Sequence, residues 1–212
     1  MERDISEAIM KRALLALGGI GGVGILIACS ASKGTEPKQQ QQRVAAQAIE
    51  STADAKIAFA YLRAEAEQID GQVKTNFAGP LSISGIAGSA SVTGSKTSSS
   101  TSSYSSSLST SNTDLNVAFA AFQSSASGAV VSGQIRWTNY SNSRTACTSS
   151  GYCASSSHHS QSLGGASVDV SFSYSGKTYG DRLTVDAGRD DVSSWSVALT
   201  NGAGQKFSFY YP

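Results

Sequence analysis

The sequence predicts a mainly β protein with one long N-terminal helix. Its strands form an antiparallel β-sandwich or a curved β-meander of about seven strands. Three observations predict this. Apolar residues recur at three-to-four spacing up to Val73, and beyond Lys74 the period changes to two. Charge changes at the same place: residues 36–74 carry 11 charged side chains, whereas the far longer stretch 76–212 carries 13. Hairpin turn sequences, Ser175-Gly176-Lys177 and Asn201-Gly202-Ala203-Gly204, then separate the last alternating runs. The expected organisation is a signal peptide at 1–28, a tether at 29–42, the helix at 43–73 and a β domain at 74–212.

At the N-terminus, Lys11 and Arg12 precede an apolar run from Ala13 to Ala28. It is shorter than the roughly 20 residues a membrane-spanning helix needs. A basic start, a short apolar core and small residues before a cleavage point describe a secretory signal peptide. The stretch Leu26-Ile27-Ala28-Cys29 resembles the lipobox of bacterial lipoproteins. That resemblance covers about the first 30 residues and implies that Cys29 is acylated and becomes the first residue of the mature chain. It also implies a palmitate-type anchor in the cell envelope, with Ser30 pointing to the outer membrane. Gly19, Gly21 and Gly24 satisfy a dinucleotide-binding glycine pattern, but no strand–turn–helix unit surrounds them, so no nucleotide cofactor is expected.

From Ser30 to Gln42 the chain is polar and aperiodic, as a tether is. The helix is expected to open as early as Pro37, capped by Thr35, and to end at Asp70 with Gly71 just beyond. Ala45, Ala48, Thr52, Ala55, Phe59, Leu62, Ala66, Ile69 and Val73 form one row, widened by Ile49, Ala53, Ile57 and Ala60. So wide an apolar face packs on a sheet of its own chain. The alternative, a coiled-coil stalk, suffers from alanine-rich seam positions and sparse flanking charge.

Strands are expected at Leu81–Thr93, Leu115–Phe122, Val130–Tyr140, Val168–Tyr174, Tyr179–Val185, Ser194–Thr200 and Lys206–Tyr211. Clean alternation, as in Val168/Val170/Phe172/Tyr174, gives one buried and one wet face. Trp137 and Trp195 lie in alternating strands and are expected in the core. Ala187 to Ser193 reads as a turn. Residues 95–113 hold 15 Ser or Thr among 19, too little apolar surface to build a core, and read as a long loop or a weakly specified strand arm.

Cys147 and Cys153 are expected to form a disulfide, since an exported chain with two remaining cysteines most simply joins them. A zinc site with His158 and His159 would need a spacing that C-x5-C-x4-H-H does not offer. Asp181, Asp186, Asp190 and Asp191 could supply oxygen ligands to calcium, but they lack EF-hand spacing, and no metal is expected. The connection 141–166 is long enough to be functional. Its Arg144, Tyr152, His158 and His159 are the candidate contact surface.

No nucleophile-elbow or H-E-x-x-H motif is present, and adjacent histidines on a strand face opposite ways. The net charge of +1 gives no basic footprint for nucleic acid. The expected function is therefore a lipid-anchored envelope protein with a non-enzymatic structural or binding β domain. Its partners would be the membrane, through the lipid, and an envelope protein. The second reading is a carrier of a hydrophobic ligand in a curved-sheet cavity. The third is an envelope hydrolase built around His158 or His159. Oligomeric state is left open.

Overall fold

A computed structural model describes residues 46–212, apart from 126, 127 and 192. The signal peptide, Cys29 and the tether lie outside the described residues, as does the expected helix opening at Pro37.

Helix α1 spans Thr52–Gln72, so it begins later than the expected 43. The reason lies in how the preceding backbone is used. Gln47 forms a parallel bridge with Tyr179: its N–H donates to Thr178 O at 2.9 Å, and its carbonyl accepts from Gly180 N at 3.0 Å. Ile49 N then donates to Asp181 Oδ2 at 3.0 Å, and Ile49 O accepts from Asn201 Nδ2 at 2.7 Å. These groups cannot also serve a helix. Ser51 caps the helix in extended conformation, its hydroxyl accepting from Asp54 N at 3.1 Å. At the other end Gly71 stays inside the last turn and Val73 is the cap.

The described residues form nine strands: β1 (Phe77–Ala78), β2 (Leu81–Ser84), β3 (Ala87–Ser102), β4 (Ser106–Gln123), β5 (Val130–Cys147), β6 (Cys153–Tyr174), β7 (Lys177–Asp190), β8 (Trp195–Thr200) and β9 (Lys206–Tyr211). They form one open antiparallel sheet in which β3 to β9 are neighbours in chain order. β1 and β2 both pair with the outer side of β3. The architecture is thus the meander, not the sandwich. Register shifts between Phe119 and Phe122, and between Gly165 and Val168, bulge the strands at the level of the core. Such bulges bend and twist a strand locally.

Three expectations about loops are corrected. Residues 95–113 are not the loop but the alternative strand arm: they are the distal parts of β3 and β4, joined by a tight turn in which Ser103 N donates to Ser106 O at 2.7 Å. The connection 141–166 is likewise the distal hairpin of β5 and β6, with only 148–152 at its tip. The expected turn from Ala187 is strand as far as Asp190. A ladder once registered by its apolar half continues through polar residues, because each added pair satisfies backbone groups whatever its side chains are.

Two regions result. In the proximal half, α1 crosses one face of the sheet. Phe59 stands edge-on to Trp195 at 5.7 Å and to Tyr211 at 5.3 Å, and Trp137 lies 6.0 Å from Trp195. Both tryptophans are buried, as expected. In the distal half, β3 to β6 run on past α1 as a four-stranded arm, polar on both faces and with no helix of the described residues over it.

Candidate functional site

The arm carries every described residue of the candidate contact surface, but alternation divides them between its faces. On the face away from α1, Thr101, Leu108, Arg144 and Ser156 form one cross-strand row. Thr110, Asn142 and His158 form the next. Thr101, Leu108, Asn142, Arg144, Ser156 and His158 from these rows, with Ser106, Ser107 and Ser157, line a shallow trough of about 610 Å³. Tyr140 extends the surface, its ring 5.7 Å from that of His158 and its hydroxyl accepting from Asn142 Nδ2 at 3.2 Å. Arg144 and His158 are therefore brought together. His159 is not: it lies on the α1 face, where its Nε2 meets Asn139 Oδ1 at 3.1 Å. Tyr152 stands alone at the tip, strongly exposed. Directly below it the Cys147–Cys153 disulfide joins the ends of β5 and β6.

His158 is held by two acids from the end of β7. Its Nδ1 is hydrogen-bonded to the Asp191 carboxylate, and its Nε2 lies 3.4 Å from Asp190 Oδ1. The other Asp191 oxygen accepts from His159 N at 2.6 Å. Asp191 has a φ of 47°, a left-handed conformation that Asp tolerates better than most residues. The hydrogen bond that His158 donates to the Asp191 carboxylate raises the His158 pKa above its ordinary value. The hydrogen bond from His158, followed by that from His159 N, lowers the pKa of Asp191. Both ring nitrogens of His158 thus face carboxylates, which hold the imidazole in place between β6 and the end of β7.

The four acids weighed for calcium do not converge. Asp181 is occupied by backbone donors, with Ile49 N on one oxygen and Arg182 N and Gly202 N on the other. Asp190 and Asp191 gather instead with His158, their ligand atoms within 4.8 Å of one another and all three residues exposed.

A titration follows from this geometry. His158 should titrate above 6.5, and Asp191→Asn should bring it back toward that value, as read by imidazole NMR shifts. A raised histidine contributes stability that is complete below the unfolded-state pKa and is lost as pH rises through the folded one. The lowered Asp191 contributes stability that is complete above its unfolded value and is lost as pH falls through the folded one. The clamp is therefore strongest between about pH 4 and pH 6.5. An Asp191→Asn variant with an unchanged His158 titration would contradict this pairing.

On the α1 face a second polar cluster ties the helix to the base of the arm. The Asp70 carboxylate accepts from Lys96 Nζ at 2.7 Å, Trp137 Nε1 at 3.2 Å and Asn139 Nδ2 at 3.3 Å. Asn139 passes the connection on to His159. Sequence reasoning placed Asp70 only as the last helical residue. Its one signal was an acid on the apolar stripe, next to Ile69. No family model, no curated protein and no solved structure matches this chain.

Proposed function

We propose that this chain is a lipid-anchored envelope protein whose β domain is a non-enzymatic binding and structural module, with the arm as its contact surface. One observation carries the reading. About two fifths of the length of β3 to β6 lies beyond the helix-covered core, polar on both faces, so the arm adds surface rather than core. A sheet extended past its core with a cross-linked tip suits presentation of a surface to a partner. The disulfide accords with an oxidising compartment outside the cytoplasm. Among the described residues no helix is long and apolar enough to cross a membrane. Attachment in this reading runs through the lipobox-like Cys29.

The helix bears on the carrier reading. It occupies the apolar side of the sheet with Phe59, Leu62 and Ile69, where a carrier would hold its ligand.

Two measurements test the proposal. Cys29→Ala should abolish incorporation of labelled acyl chains and leave unprocessed precursor. An unmodified Cys29 in membrane-bound wild type would end the lipoprotein part. For the binding part, the arm variant N142A/R144A should keep the wild-type circular dichroism and melting temperature. It should lose retention on immobilised envelope material that holds the wild-type chain. Equal retention of both would remove the arm from the contact surface.

A further inference from the structure

Among the described residues, the short β1 and β2 pair with β3 alone, β7 outside its β8 ladder meets only the Gln47 bridge on that side, and three further edges have a neighbour on one side only. These are β9 throughout, the distal end of β6 over residues 153–159, and the distal end of β3 over residues 97–102. Unpaired strand edges template pairing with other chains, and proteins block them with charge, proline or bulges.

Two of these three are guarded, β9 along its length and β6 at its base. β9 begins at Lys206 and is followed by Pro212, while Lys56 and Arg63 lie over its Phe209 and Tyr211 rings at 6.0 and 5.2 Å. At the base of the β6 edge, Asp191 N donates to His159 O at 2.8 Å, and the Asp191 carboxylate takes His159 N. Asp190 stands beside it. The third edge reads Thr97-Ser98-Ser99-Ser100-Thr101-Ser102. It has no charge, no proline and no register shift against β4.

We propose that this β3 edge is an interface between two copies of the chain, which pair antiparallel about a two-fold axis at Ser100. The register follows from the hairpin. Ser103 N faces β4, donating to Ser106 O, so alternation turns Thr101, Ser99 and Thr97 toward β4 as well. The backbone N–H and C=O of Ser98, Ser100 and Ser102 then point outward. Antiparallel pairing sets Ser100 against Ser100 of the second copy, and Ser98 against Ser102. Every outward donor meets an acceptor, and no like charges face each other.

The second copy is the partner whose geometry fits. A two-fold axis through the arm sends the two helix-covered bodies to opposite ends, so they do not collide. A translated copy placing its β3 against β6 would meet β7, which already flanks β6 from Ser160 onward. The ladder ends where β1 covers Lys96. The two arms then form one eight-stranded polar sheet.

The outward direction of Ser100 N–H supplies the test. A proline there removes the central donor of the dimer ladder but none of the β3–β4 bonds, and proline is tolerated on an edge strand facing that way. The detergent-solubilised full chain should show reversible dimerisation on dilution in sedimentation. Ser100→Pro should raise the dimer dissociation constant about tenfold or more, with the melting temperature unchanged. Should Ser100→Pro disturb folding, S98K/S102K, which sets lysines opposite each other across the axis, should weaken the dimer equally. A wild-type chain that stays monomeric to its solubility limit would overturn the proposal, as would a dimer insensitive to S98K/S102K.

Discussion

Trp137→Ala is expected to destabilise the domain by about 3–5 kcal/mol, because it opens a large cavity at the centre of the aromatic cluster. Trp137 is 1 % exposed and lies 6.0 Å from Trp195, which is fully buried and packs on Phe59. Nothing on its strand can collapse into the space. Its neighbours in the cross-strand row, Leu115 and Leu163, are themselves fully buried. The indole also donates Nε1 to Asp70 at 3.2 Å, so truncation removes one of the donors on a nearly buried carboxylate. Trp137→Phe separates the two effects. It keeps much of the volume, loses the N–H, and should cost about 1–3 kcal/mol less than the alanine variant. Urea unfolding followed by circular dichroism measures both. A Trp137→Ala cost below about 1 kcal/mol would show that this site is not core.

The same residues show why the core was legible in the sequence. Trp137, Val168, Val170, Trp195, Val197 and Phe207 sit in strands whose apolar residues alternate, and alternation is a direct record of a sheet with one buried face. The distal arm left no such record. Ser98 or Ser143 has the same character whichever face it takes, so periodicity is silent there. A run of serines resembles a solvated loop although it runs in unbroken register with β4 or β5. The disulfide was legible because only two cysteines remained, but its cross-strand position needed the register Cys147↔Cys153.

The helix was read too long for a related reason. Gln47 and Ile49 fit the helical stripe or its neighbours, yet their backbones bond to the turn region of β7 and β8, more than a hundred residues away. Local pattern carries no information about such partners. The buried carboxyls of Glu65 and Asp70 escaped likewise, since an acid on a helix is normally solvated. Burial pushes the pKa of Glu65 up, opposed by its hydrogen bonds with Ser124. Its Oε2 accepts Ser124 N at 3.3 Å, so it serves to hold the end of β4.

Asp70→Ala is expected to cost about 3–5 kcal/mol, an effect as large as the loss of a core aromatic, through a different cause. Asp70 is 8 % exposed and stands where the end of α1 meets the base of the arm. Its carboxylate collects Lys96 Nζ, Trp137 Nε1 and Asn139 Nδ2, and Lys96 also reaches Asp70 O at 2.7 Å. Removing the carboxylate leaves an ammonium whose side chain is only 21 % exposed without its counter-charge, and an indole N–H without its acceptor. The cost is that of uncompensated buried polar groups rather than the value of one ion pair. A double substitution therefore distinguishes the mechanisms. Lys96→Met alone should be destabilising, because it strands Asp70. Lys96→Met combined with Asp70→Leu should cost clearly less than the sum of the two single changes, since no unpaired charge then remains. Strict additivity would mean that the two residues stabilise the domain independently. The connection through Asn139 adds a distant readout. Without Asp70, Asn139 loses the acceptor for its amide N–H, and the imidazole signal of His159 should shift, while Trp195→Ala should leave it in place.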